Sequence, residues 1–178
     1  MFLRERAFAA VRRRVWPSSV DQLTGLGNRR RLRDDLRAAC DSATHDAPQL
    51  LVLLTLSGFK EYDAALGHSA GDALVVRLGE RLSSSIGHRG TVYRTAGVDF
   101  CVLADVGRDA ANSFVATAVA ALVNDTGSHP ISARHGAVRI PVETREPGEA
   151  LHIAGQRLHA SQVYAAAPRT TRRTVQLP

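Results

Sequence analysis

Asp21-Gln22-Leu23-Thr24-Gly25-Leu26-Gly27-Asn28-Arg29-Arg30 is the stretch on which the reading of this chain turns. Taken alone it reads as a loop shaped by Gly25 and Gly27, with Asp21 as the cap of a helix start. Its weight comes from landmarks downstream at fixed distances. Phe59-Lys60 is followed by Gly67-His68 and Gly71-Asp72-Ala73-Leu74, and later by Arg94-Thr95-Ala96-Gly97-Val98-Asp99-Phe100.

The hydrophobic pattern between the landmarks changes period. Leucines and alanines recur at helical spacing from Arg29 to about Thr44, whereas Gln49 to Ser57 is a largely apolar run suited to a strand buried on both faces. Ser69 to Ser85 predicts a helix with Ser69 as N-cap and Leu74, Leu78 and Leu82 on one face. Thr91 to Arg94 and Phe100 to Ala104 predict two short strands joined by a tight turn at Ala96-Gly97. A helix over Arg108 to Asn124, a strand over Ile131 to Ile140 and a helix over Glu149 to Ala165, entered through Pro147-Gly148, complete the pattern, with a last short strand near Thr174 to Leu177. Interleaving of this kind, with one hairpin, gives the α+β class, a sheet covered by helices.

The chain has 178 residues, 44% of them hydrophobic, which suits one domain with a real core. Cys40 and Cys101 have neither metal-ligand spacing nor the density of a disulfide framework, so a reducing cytoplasm is the expected compartment. The histidines show no H-E-x-x-H or H-x-H spacing. No apolar run reaches the roughly 18–20 residues of a spanning helix. The net charge of +6 is concentrated at the ends, in Arg4, Arg6, Arg12, Arg13 and Arg14 and in Arg169, Arg172 and Arg173. Aromatic residues for stacking are sparse and no reading helix is recognisable, so nucleic acid is not the expected partner. Phe2 to Trp16 reads as a basic amphipathic helix ending at Pro17, which divides a 1–18 helix and linker from a domain over 19–178. Such a helix suits contact with a protein partner, a homodimer or a membrane surface, or simple packing on its own domain.

Together the landmarks resemble the GGDEF (diguanylate cyclase) domain family. Its opening signature, D-x-L-T-G-L-x-N-R-R, is matched at Asp21, Leu23, Thr24, Gly25, Leu26, Asn28, Arg29 and Arg30. F-K-x-x-N-D and G-H-x-x-G-D-x-L are matched in part from Phe59 and Gly67, and Ala96-Gly97-Val98-Asp99-Phe100 stands in place of G-G-D-E-F. The resemblance covers about Asp21 to Val175. It implies a palm-like, ferredoxin-related fold with a mixed central sheet flanked by helices.

For function, the resemblance implies condensation of two GTP molecules into cyclic di-GMP, with Mg²⁺ neutralising phosphate charge on carboxylate ligands. In the family stretch D-x-D-x-F-K, Thr55 and Ser57 stand where the two carboxylates belong, and Val98 stands at the Asp of G-G-D-E-F. Asp99 is the remaining carboxylate, one methylene shorter than Glu, and the remaining candidate for catalysis and metal. Ala96 brings a Cβ to a position where glycine lets backbone approach the nucleotide. The family's phosphate-clamping Lys and the Arg after it fall at Gln162 and near Ala166. The guanine-binding positions fall at Asp63 and Asp72, with Phe59 and Lys60 on the phosphate side. The inhibitory R-x-x-D sequence is replaced by Gly87-His88-Arg89-Gly90. These substitutions point to a catalytically degenerate regulatory or interaction module in cyclic di-GMP or guanine-nucleotide signalling. A weak or divergent cyclase and a GTP-binding sensor are the alternatives, with Mg²⁺ as cofactor if nucleotide binds.

Overall fold

The computed structural model describes residues 19–124 and 128–165. Strand β1 (Gln49–Ser57) occupies an interior place in a four-stranded sheet. Its apolar run is explained by that place. Leu50, Val52, Leu54 and Leu56 face one core cluster, while Leu51 faces the other. Helix α1 (Arg29–Ser42) packs its buried Leu32, Leu36, Ala39 and Cys40 on the second face. These positions recur at i, i+4, i+7 and i+8, one side of a helix. The helix is capped by Asn28, whose Oδ1 accepts the Arg31 N–H at 3.1 Å, and not by Asp21.

After β1 come α2 (Phe59–Leu66) and α3 (His68–Ile86), joined at Gly67, then β2 (Gly90–Ala96) and β3 (Asp99–Asp105). Ser69 lies inside α3 and does not cap it; Gly67 holds the cap position. The hairpin turn is Gly97-Val98, one residue later than the sequence pattern places it, and Ala96 pairs with Asp99. A short 3₁₀ turn (Arg108–Ala110) leads into α4 (Ala111–Ala121), so the helix expected over Arg108 to Asn124 is shorter at both ends. Asn124 instead exchanges backbone hydrogen bonds with Ile131, just before β4 (Ser132–Ile140). The last element is α5 (Pro147–Ala165), with proline at its first position, where the missing N–H costs nothing. The expected N-terminal helix and the expected strand near Thr174 to Leu177 lie outside the described residues.

The strand order is β2-β3-β1-β4 and the three ladders are antiparallel. This is the order of a ferredoxin-like sheet, as the α+β class and the resemblance imply. The resemblance also implies a mixed sheet, and here the correction is small: among the described residues, parallel pairing is confined to the bridge between Gly27 and Tyr93. Helices α3 and α4 cover one face of the sheet, α1 and α5 the other. Cys40 on α1 and Cys101 on β3 are both free thiols, buried in the second core cluster. Among the described residues no helix is long and apolar enough to cross a membrane.

Arg81 on α3 ties the two helices of the first face together. Its Nε donates to the Ala121 carbonyl at 2.5 Å, and a second guanidinium nitrogen donates to the Val123 carbonyl. A cation at the C-terminal carbonyls of α4 satisfies orphan acceptors and opposes the helix dipole. Because Arg81 is exposed, Arg81→Ala is expected to lower unfolding free energy by only about 1 kcal/mol in a urea titration.

Candidate functional site

The opening motif forms a tight turn. Asp21 Oδ1 accepts the Thr24 N–H at 3.0 Å and the Thr24 hydroxyl at 2.7 Å. Arg94 reaches this carboxylate from β2, 2.9 Å from Oδ1 and 3.0 Å from Oδ2, and its Nε donates to the Gly97 carbonyl at 2.9 Å. One guanidinium thus joins the opening motif to the hairpin 73 residues later. Burial pushes the Asp21 carboxyl up, but the hydrogen bonds from Thr24 and Arg94 outweigh it and hold the group below its ordinary value. A carboxyl depressed in the folded state stabilises fully above the unfolded value of 3.8, and that contribution is lost as pH falls through the lower folded value. Asp21→Asn is therefore expected to cost about 1–2 kcal/mol at neutral pH. Urea midpoints followed from about pH 7 to pH 2 should converge with those of the parent at the acid end.

The hairpin brings Asp99 opposite Thr55 on β1, and Thr55 in turn lies opposite Arg134 on β4. Register partners share a face, so Asp99, Thr55 and Arg134 form a row across three strands on the α1 and α5 side of the sheet. The buried Thr55 hydroxyl donates to Asp99 Oδ1 at 2.6 Å. Val98 packs against the core under α3 and α4, and its carbonyl accepts the Leu56 N–H at 3.3 Å. Ala96 is exposed and extended, and no non-glycine residue among those described has a positive φ. The Cβ at Ala96 therefore brings no backbone strain.

Beside this row is a cleft of about 480 Å³ between the end of β1, the start of α2 and β4. Phe59, Lys60, Asp63 and Val98 line it, with Ser57 and Arg134. Gly58 makes the bend into α2, at φ 85° and ψ −2°. Asp63 Oδ2 lies 2.7 Å from His68 Nδ1, within hydrogen-bond distance. Asp63 also lies against Gly71, next to Asp72 in the chain, whereas Asp72 is exposed on α3, beyond its first turn, and does not line the cleft. The structure thus gathers Phe59, Lys60, Asp63 and Val98, and leaves Asp72 and Asp99 at its margins. Gln162 falls within α5; Ala166 lies outside the described residues.

A divalent cation of the kind the resemblance implies needs hard anionic oxygens arranged together. At this strand end one carboxylate is present, Asp99, and one of its oxygens already accepts the Thr55 hydroxyl. Among the described residues no group of three or more His, Cys, Asp or Glu is placed to hold a metal ion. Arg134, a fixed cation, occupies the register position beside Thr55. The residues present do not fit Mg²⁺. Arg134 is the residue that sequence reasoning missed. It has the parity of the inward-facing Val138 and Ile140 on β4, and a charge on a core-facing parity was the available signal.

Comparison with known proteins follows this geometry. The family model described as Diguanylate cyclase, GGDEF domain matches residues 18–163. The diguanylate cyclase TpbB of Pseudomonas aeruginosa is 30% identical over 157 residues, which is 84% of this chain and 36% of TpbB. A sensory box/GGDEF family protein from Caulobacter crescentus superposes with a TM-score of 0.75 at 26% identity, covering 82% of this chain and 99% of that one. The diguanylate cyclase SiaD from Pseudomonas aeruginosa, solved in complex with its activator SiaC, superposes with a TM-score of 0.71 at 23% identity over 83% of this chain and 59% of that one, a likeness of fold. The chain spans less than half the length of the curated relatives it matches. On the family match, which covers most of its length, the chain belongs to the diguanylate cyclase GGDEF domain family.

Proposed function

We propose that this chain is a catalytically degenerate GGDEF domain, a regulatory or interaction module in cyclic di-GMP or guanine-nucleotide signalling. The observation that carries the reading is the hydrogen bond from Thr55 to Asp99. Joining two GTP molecules requires charge on the phosphates to be neutralised and the attacking hydroxyl to be activated, work that metal held by carboxylates performs. Thr55 is a neutral donor where an anionic ligand would be needed, Val98 is apolar, and Asp99 is engaged by Thr55. A weak or divergent cyclase would have to work with that single carboxylate.

A second reading, a GTP-binding sensor, is favoured by the cleft, where Lys60 and Asp63 offer a cation and a hydrogen-bond acceptor within one concave site. Asp63 and Asp72 are then the groups that recognise guanine N–H donors, and Phe59 and Lys60 stand on the phosphate side. Protein contact, through the 1–18 segment or within a homodimer, belongs to the same proposal, with the activator complex of SiaD as the analogy. The cytoplasm, where GTP is present and thiols such as Cys40 and Cys101 stay reduced, is the proposed location. The test is a calorimetric titration with GTP beside ATP. Heat with GTP alone and no cyclic di-GMP in the recovered samples supports the sensor, and no heat with either supports the interaction module. Cyclic di-GMP in those samples contradicts both.

A further inference from the structure

Two buried polar atoms in the described residues have no hydrogen-bond partner, Ser57 Oγ and Arg134 Nε. Both residues line the same cleft, and both lie on the same face of the sheet. A buried guanidinium N–H left unmade is costly, more so than a neutral group, and a bound ion is one of the partners that completes such a group. Lys60 also lines the cleft, at the first turn of α2, where Gly58 provides no capping side chain for the leading N–H groups. Two carboxylates line it too, Glu61 and Asp63, both on α2, and Asp63 is faced by His68. The cleft thus carries Ser57 and Arg134 from β1 and β4, and Lys60, Glu61 and Asp63 from α2. Where a metal would bridge protein carboxylates to phosphate, this chain places a cation instead, opposite Thr55.

We infer that the cleft binds the phosphate groups of a nucleotide directly, through Arg134 on β4, Ser57 on β1 and Lys60 at the start of α2, without a divalent cation. The guanidinium supplies the charge that Mg²⁺ would otherwise bring, in a fork that matches phosphate oxygens. Mg²⁺ already bound to the triphosphate offsets part of that attraction, so free triphosphate binds at least as tightly as its Mg²⁺ complex. The inference rests on the nucleotide-binding form of the proposed function, and a ligand without a base separates the two.

The experiment is calorimetric titration of the full chain with inorganic tripolyphosphate and with GTP and ATP, each in EDTA and again in excess Mg²⁺. Arg134→Ala, Arg134→Lys and Arg37→Ala are run beside the parent; Arg37 is an exposed arginine on α1, away from the cleft. Binding in EDTA is expected, weakened at least about tenfold in Arg134→Ala, partly kept in Arg134→Lys and unchanged in Arg37→Ala. Because the Arg134 Nε is unpartnered, Arg134→Ala is expected to melt no lower than the parent, so lost binding is not lost folding. Binding that requires Mg²⁺, or that is equal in Arg134→Ala and parent, overturns the inference. So does absence of binding by tripolyphosphate and GTP alike in EDTA. Tripolyphosphate binding with no preference for GTP over ATP sustains the inference while removing guanine recognition from the proposed function.

Discussion

Gly136→Ala is expected to destabilise the domain by about 3 kcal/mol or more, one of the two largest losses anticipated for a single methyl group here. A Cβ built on Gly136 would stand 2.0 Å from the Ala154 carbonyl oxygen and 2.4 Å from the Leu158 nitrogen, both backbone atoms of α5. Neither atom can turn aside as a side chain would, so the helix must lift from β4. Lifting it opens the contacts of Ala150 and Ala154 with Val138 and Ile140, all buried in the second core cluster. Gly155→Ala, one residue past Ala154 in the same helix, gives the internal comparison. Its Cβ would meet nothing within 4 Å, and replacing a helix-interior glycine by alanine stabilises by about 0.5–1 kcal/mol. Paired urea titrations should therefore move the midpoint in opposite directions, and a common direction would contradict the close approach of α5 to β4.

Gly58→Ala is the second large effect, about 3 kcal/mol, and it bears on the cleft. Two causes add at this position. The φ of 85° is unfavourable for any L side chain by about 1–2 kcal/mol, and a Cβ would stand 2.4 Å from the Pro130 carbonyl oxygen. Gly25 has a φ of 70° with nothing within 4 Å of its would-be Cβ, so Gly25→Ala meets the dihedral term alone. The difference between the two variants in unfolding free energy measures the clash, and is expected to be about 1–2 kcal/mol. Equal losses would mean that the segment carrying Pro130 yields freely and does not press on the bend between β1 and α2.

The parts of the fold that were legible in the sequence are those where one kind of surface is buried. β1 was read to the residue because an interior strand beneath two helical layers has to be apolar on both faces. α1 was legible because its buried residues repeat at one helical period. α2 has no buried residue, so no apolar stripe marked it, and it was not anticipated. The turn was misplaced by one residue because the irregularity between Arg94 and Ala96, a matter of pairing with β3, shifts the register. The site was half legible. Thr55, Ser57, Val98 and Asp99 could be found by counting from the landmarks. Their hydrogen bonding depends on cross-strand partners that local sequence does not reveal: Thr55 meets Asp99 from 44 positions away. Arg134 reaches the cleft through its register with Thr55, and its shared parity with Val138 and Ile140 was the one local signal of an inward-facing charge.

The most direct test of the central claim is turnover itself. Radiolabelled GTP is incubated with the purified chain and Mg²⁺, and in parallel with Mn²⁺, and the products are separated by chromatography. With Thr55 bonded to Asp99 and no carboxylate at Val98, the expected result is no cyclic di-GMP above a protein-free control. Cyclic di-GMP accumulating in proportion to protein concentration would contradict the account.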